Sequence, residues 1–284
     1  MKRSRYDLNL PEDAGAPGGV YLCQVSERVS CAACCGVYND RNLQPERLRL
    51  QLNERTRIFA GVRRAVEAID AFGRSTLGRE KRLPKFADFH SCPFVGLVGK
   101  ARNRAGCLLH PCAENNGGVD YRGLSYYGGL ACRGYFCPSH RRLPAGMKTI
   151  LRAAALDWFE YGLIITETEL LQACFEALRR RVGAEITPER FFRKPENPQR
   201  LRALVSLKIH WPYRGRHDPG PCNYFFEDGR HPGAGVRYPV HDHRRSPHHA
   251  LFKALGSEFD DRTALQQAEA LLEDRIEALV GGLC

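Results

Sequence analysis

The sequence has no run of eighteen apolar residues, the length a bilayer-crossing helix needs, so no membrane-spanning helix is expected. Behind the basic start Met1-Lys2-Arg3-Ser4-Arg5 there is no apolar leader core; Asp7, Asn9, Pro11, Glu12 and Asp13 stand there instead. The expected compartment is therefore the cytoplasm, with no membrane partner. No internal repeat is evident. Long charge runs of one sign are also missing, although the net charge is +11 and the pI about 9.2. The arginines are spread along the chain, with short clusters only at Arg179-Arg180-Arg181 and Arg244-Arg245, which read as solvated helix faces. Such a balance suits an acidic protein partner; without a basic stripe, nucleic acid is the less favoured alternative.

What the sequence has in abundance is cysteine. Nine of the twelve cysteines fall between residues 23 and 137. In a reducing compartment, thiols grouped in this way are more often metal ligands or catalysts than disulfides. The central word is Ser30-Cys31-Ala-Ala-Cys34-Cys35-Gly36, answered downstream by Cys92, Cys107, Cys132 and Cys137. These seven cysteines are the first metal-ligand candidates, and Cys23, Cys112, His110 and His140 are the further ones. The CxxC spacing lets Cys31 and Cys34 bend round one ion. Adjacent side chains leave the backbone in divergent directions, so Cys34 and Cys35 are expected to divide between two sites or straddle a polynuclear cluster. Zinc and iron–sulfur clusters both take about four such ligands. An all-cysteine set with a doublet favours iron–sulfur, with Zn2+ close behind.

The fold expected is mainly α, an irregular cysteine-rich metal-binding lobe packed against a helical C-terminal half. Residues 1–19, with Pro11, Pro17 and Gly18-Gly19, read as a flexible tail. Residues 20–143 form the cysteine-rich region, with one long helix from about Pro45 to Phe72. Its stripe is Ile58, Val62, Val66, Ile69 and Phe72, and Arg55, Arg57, Arg63, Arg64 and Glu67 fill the other face. Gly73 and Gly78 end it, before a charged link at 79–82. Residues 86–140 are glycine-rich and show neither helical nor strand period. Little apolar area can be buried there, so ligand bonds must hold the segment. Structural zinc contributes roughly 10–16 kcal/mol of apparent binding energy, against about 5–15 kcal/mol of net stability for a domain.

Residues 144–284 read as helical. Leu151, Ala154, Ala155 and Trp158 form a stripe running to Tyr161-Gly162, and Thr166-Glu-Thr-Glu169 reads as a capping box. The next helix carries Leu171, Cys174, Phe175, Leu178 and Val182 on one stripe, which makes Cys174 a core residue. Thr187-Pro188-Glu189 starts a short helix, and further helices cover Gln199 to Ile209 and Thr263 to Val280. Residues 210–249 form a Pro/His-rich loop, with a helix capped at Ser246-Pro247 behind it. Cys222 and Cys284 have no partner in the sequence.

The words Cys31-x2-Cys34-Cys35, Cys92-Pro93-Phe94, Gly106-Cys107-Leu-Leu-His110-Pro111 and Cys132-Arg133 with Phe136-Cys137 resemble the CxxCxxCC (YkgJ-like) family of zinc- or iron-chelating proteins. The resemblance covers about residues 20–140. It departs from the family at position 28, where Arg stands in place of the leading cysteine, and in the long stretch carrying Cys112. It implies a metal. Some members of that family are flagellin lysine N-methylases that use S-adenosylmethionine, but no glycine-rich strand–turn–helix unit for an adenosyl cofactor is evident here.

Two further sites come from the residues themselves. His241-x-His243 with His248-His249 is a candidate second metal site, set against the commoner reading of surface histidines in a basic loop. Cys137-Pro138-Ser139-His140 is a candidate thiol–imidazole pair, unaccompanied by any local word for a protease or transferase. Three function classes stand: a cysteine-ligated metal protein, a protein-modifying enzyme of the methylase type, and a basic nucleic-acid-binding module with structural zinc.

Overall fold

The computed structural model describes residues 10–40, 43–80, 90–216, 234–239 and 245–283. Its elements are mostly helical. They run α1 (Pro45–Ala60), α2 (Val66–Glu80), β1 (Val95–Val98), β2 (Arg104–Cys107), α3 (Gly128–Gly134), α4 (Ser139–Arg142), α5 (Ala145–Ala154) and α6 (Trp158–Ile164). Then follow α7 (Thr168–Val182), α8 (Pro188–Phe191), α9 (Asn197–Val205), α10 (Leu207–His210), β3 (Val236–Arg237), α11 (His249–Ala254), β4 (Ser257–Glu258) and α12 (Arg262–Val280). The mainly α expectation holds. No helix among the described residues is long and apolar enough to cross a membrane.

The chain divides into two compact units. One comprises Leu22–Cys137 and Leu156–Gly162; the other comprises Met1–Tyr21, Pro138–Ala155 and Leu163–Cys284.

In the first unit, the single helix expected over residues 45–72 is two. Gly61 closes α1, its amide donating to the Ile58 carbonyl, and α2 begins at Val66. The apolar stripe read across both is broken with them: Val66 is 56% exposed, and the face α1 buries is Leu48, Leu52, Arg55, Thr56 and Phe59. Arg55, expected in solvent, is thus a core residue. Its guanidinium pairs with Glu80 (Nε to Oε1 2.7 Å) and donates to the carbonyls of Cys92 at 3.0 Å and Val95 at 3.1 Å. A buried carboxylate on the next helix is what makes that burial tolerable, and periodicity gives no sign of it. Gly73 does not end a helix either. It lies inside α2 because a β-carbon there would meet the Phe94 ring at 2.7 Å.

The glycine-rich stretch contains a hairpin that its composition concealed. β1 and β2 pair antiparallel, from Val95 opposite Cys107 to Val98 opposite Arg104. Gly96 allows α1 to lie directly on the hairpin, since a β-carbon there would come within 2.3 Å of Thr56 Oγ1, which donates to the Leu97 carbonyl at 2.9 Å. The turns beyond β2 are organised by buried Asn116, whose amide donates to the carbonyls of Leu108 (2.9 Å) and His110 (2.7 Å). Arg64 reaches the same Asn116 at 2.7 Å.

The second unit packs helices around apolar stripes. α7 buries Leu170, Leu171, Cys174, Phe175 and Leu178, and α12 buries Leu265, Ala268, Leu272, Ile276 and Leu279. Each fully buried Leu or Ile contributes roughly 1.5–3 kcal/mol. Cys174 is a core residue, as expected. The Asp261 side chain caps α12 by accepting from the Ala264 amide at 2.8 Å, and Thr187 caps α8. The capping box expected at Thr166 does not form: the N-cap of α7 is Glu167, and the Thr166 hydroxyl lies 3.5 Å from the Leu163 carbonyl. The stripe from Leu151 to Tyr161 is split at Ala155 into α5 and α6, and the helix expected from Gln199 to Ile209 is α9 followed by α10.

The expected tail is in part anchored. Residues 11–15 and 17–19 form 3-10 turns. Asp13 pairs with Arg152 at 2.7 Å, and the Lys148 ammonium donates to the carbonyls of Gly18 (2.9 Å) and His140 (2.8 Å). Within the expected loop at 210–249, β3 pairs in parallel with β4.

Candidate metal centre

The cysteines are positioned mainly by main-chain hydrogen bonds, so their placement follows from local backbone geometry. Cys31 donates its amide to the Cys23 carbonyl at 2.7 Å, beside a bridge between Gln24 and Ser30. Ala33–Cys35 then make one 3-10 turn, closed by Gly36 in the left-handed region at φ 75°. The segment at His90 to Cys92 crosses that turn. A β-carbon on Gly36 would lie 1.8 Å from the His90 carbonyl oxygen, and the Cys92 amide donates to the Cys35 carbonyl at 2.9 Å. Cys107 ends β2, and the Leu108 amide bonds the Phe94 carbonyl at 2.8 Å, which holds Cys107 beside the strand that follows Cys92. Cys132 lies on α3, its sulfur 3.0 Å from Ser125 Oγ, its carbonyl accepting from Arg122 at 3.4 Å.

The segment Leu156–Gly162 closes the same unit. The Tyr38 hydroxyl donates to the Trp158 carbonyl at 2.8 Å, and Tyr161 donates to the Leu22 carbonyl at 3.1 Å. Gly162 is obligatory here: a β-carbon would lie 1.9 Å from the Tyr38 oxygen, and the Gly162 carbonyl faces the Cys31 thiol at 3.9 Å.

The ten described cysteines form no disulfide. Eight of them are electrostatic neighbours. The Cys31 thiol is pushed far up by burial, then by the charges that Cys137, Cys34 and Cys23 would carry. Cys35 is pushed up by the hydrogen bond it shares with Cys34, then by burial, and further by Cys34, Cys92 and Cys107. Burial raises Cys92 to about 11 against the pull of the Arg55 guanidinium. Burial raises Cys107 to about 12, with Cys92 and Cys132 adding to it and Arg122 opposing. Cys34 is lowered, first of all by its interaction with the Cys35 thiol.

The doublet sits within one 3-10 turn, where each thiol shifts the other's titration. Cys92 is buried, Cys34 is exposed, and Cys23, Cys31, Cys35, Cys107, Cys132 and Cys137 are half-buried.

Thiols pushed up in this way, as Cys31, Cys35, Cys92 and Cys107 are, become favourable as thiolates beside a cation. That is the donor chemistry of zinc or of an iron–sulfur cluster. Among the described residues, no three Cys, His, Asp or Glu side chains already stand where one ion could be held. Four thiolates about 2.3 Å from a zinc ion must nearly touch one another. A cluster with several irons between its thiolates holds the sulfurs further apart.

The remaining candidates have the following surroundings. Cys112 is exposed, and its amide donates to His110 Nδ1 at 3.1 Å. With Nδ1 accepting, the neutral His110 ring carries its proton on Nε2. His140 is buried in the helical unit. His248 Nε2 lies 2.9 Å from Glu273, and His249 Nδ1 is 3.0 Å from the Tyr238 hydroxyl. Their proposed companions His241 and His243, like Cys222 and Cys284, lie outside the described residues.

Sequence reasoning overlooked Arg55, Tyr38 and Arg122 as supports of the site. Asp120 holds Arg122 at 2.7 Å and is also met by Arg133. The adjacency Asp120-x-Arg122 close to Cys132 was the available sign of that arrangement. No family model, curated protein or solved structure matches the chain.

Proposed function

We propose that this chain is a cysteine-ligated metal protein, with an iron–sulfur cluster favoured and zinc as the alternative occupant. One observation carries the reading. Eight thiols spread from residue 23 to residue 137 lie in one unit without forming a disulfide, and several of them shift one another's titration. The all-cysteine set with its Cys34-Cys35 doublet supports a polynuclear centre over mononuclear zinc. The resemblance to the CxxCxxCC family agrees with a metal. We place the protein in the cytoplasm, where a reducing poise keeps such thiols available.

In this reading the cluster supplies electron transfer or a structural tie. The chain's own residues then have defined tasks. Cys92 and Cys107 offer thiolates, Arg55 and Arg122 offset their negative charge, and Ser125 donates to the Cys132 sulfur. Hydrogen bonds and nearby charges of this kind set a cluster's potential.

Purification without air, followed by metal and acid-labile sulfide analysis and a visible spectrum, tests the proposal. Iron with sulfide and broad visible absorption supports the favoured form, and a colourless zinc protein supports the alternative. Protein that binds neither metal, after reconstitution with iron and sulfide or with zinc, overturns it.

A further inference from the structure

We propose that the tyrosines around α3 form a stacking platform for single-stranded nucleic acid. This is a function separate from the metal reading above and does not depend on it.

Among the described residues, the large aromatic side chains that stand exposed are Tyr126, Tyr127 and Tyr135, all within one short stretch of chain. Tyr127 precedes α3 and Tyr135 follows it, the Tyr135 amide closing the helix on the Ala131 carbonyl at 3.0 Å. Tyr126 stacks on the His90 ring, with centroids 4.0 Å apart and planes inclined by 18°. Tyr127 stands edge-on to both rings at 5.0 Å. Tyr126 is nevertheless 72% exposed, so a ring stacked on one face presents the other to water. A nucleic-acid base is the flat partner that continues such a stack, and it does so with little regard to sequence. Leu130 on the same helix, 91% exposed, adds apolar surface beside the rings.

The main chain next to these rings is bare. A β-carbon on Gly123 or Gly134 would meet nothing within 4 Å, and neither residue has a positive φ. Neither packing nor conformation therefore requires glycine there, whereas close approach of a ligand backbone does.

Charge selects the occupant. The chain carries a net +11. Asp120 lies 2.7 Å from both Arg122 and Arg133, so two guanidiniums share one carboxylate and positive charge is left over. Arg133 is half-exposed, and its guanidinium carbon lies 3.8 Å from where a β-carbon on Gly129 would stand, which turns it back toward the Tyr127 end of α3. A phosphate fits beside that group. A second copy of the chain would bring the same positive charge and be repelled. A duplex hides the faces of its bases, and the arginines make no stripe for one to lie along, so the platform suits single strands.

The test is fluorescence anisotropy of a short labelled oligothymidylate titrated with the full chain over a series of salt concentrations, beside a duplex of the same length. The single strand is expected to bind more tightly than the duplex. Tyr126→Ala should weaken binding by roughly five- to a hundredfold with the salt dependence unchanged. Tyr126→Phe, which keeps the ring, should bind as the parent does. Arg133→Ala should weaken binding and reduce the salt dependence by about one phosphate contact. Equal binding of single strand and duplex overturns the proposal, as does equal affinity of Tyr126→Ala and the parent, because only the general adhesion of a basic chain would then remain. Absence of binding at low salt overturns it too. If Tyr126→Ala instead dissolves a dimer seen by sedimentation and leaves oligonucleotide affinity untouched, the surface belongs to a second copy and the proposal falls. Should Tyr126→Ala lose its fold by circular dichroism, the preference for single strand over duplex decides. Metal content measured on the same protein bears on the metal reading alone.

Discussion

The Cys92 amide donates to the Cys35 carbonyl across 2.9 Å, joining two segments that lie more than fifty residues apart in the chain. The bond fixes a crossing, and Gly36 is what lets the crossing close. With φ at 75° and the His90 carbonyl where a β-carbon would stand, no other residue fits there without displacement. Gly36→Ala is expected to cost at least ~1–3 kcal/mol from conformation alone, with the steric clash in addition. The denaturation midpoint should fall, and metal should be retained less well. An unchanged midpoint would show that the crossing is not as described.

The Arg55–Glu80 pair is nearly sealed from solvent, with side-chain exposures of 4% and 10%. Removing one member leaves an unpaired buried charge, so Glu80→Ala should destabilise by roughly 3–5 kcal/mol. The double variant Arg55→Met, Glu80→Leu should recover only part of this. The carbonyls of Cys92 and Val95 would then lose the donor they share. Chemical denaturation of the two variants measures both effects; full recovery in the double variant would rule out a role for the Arg55 bonds to those carbonyls.

Asp13 carries a pH dependence. Burial pushes its carboxyl up, but the hydrogen bond from Arg152 and those from the Tyr21 and Leu10 amides outweigh it, so the folded value lies below 3.8. A depressed folded value means the contribution is complete above the unfolded value and is lost as pH falls through the folded one. Stability of the wild type should therefore drop more steeply below pH 3.8 than that of Asp13→Asn. Parallel acid profiles for the two proteins would contradict this.

If metal holds the cysteine unit together, its removal should act on one unit only. After chelation under reducing conditions, amide exchange should accelerate across 22–137 and 156–162. The α7 and α12 amides, whose protection comes from packed apolar stripes, should change little. Uniform acceleration throughout the chain would show that the centre does not stabilise its unit selectively.

The sequence alone determined the elements whose causes are local. The apolar stripes of α7 and α12, the Thr187 cap with Pro188 behind it, and the core position of Cys174 all follow from spacing within a few residues. So does the concentration of thiols between residues 23 and 137, which dictates their chemistry wherever the backbone takes them. Tertiary structure decided the rest. Arg55 became a core residue because Glu80 approaches from another helix, and Gly73, Gly96 and Gly162 are glycines because distant side chains occupy the space beside them. The placing of Cys34 and Cys35 depends on a turn that the crossing at His90 and Gly36 secures. Periodicity records which face of an element is apolar, but the pairing of charges and the meeting of sulfurs depend on which segments cross, and that information is spread over the whole chain.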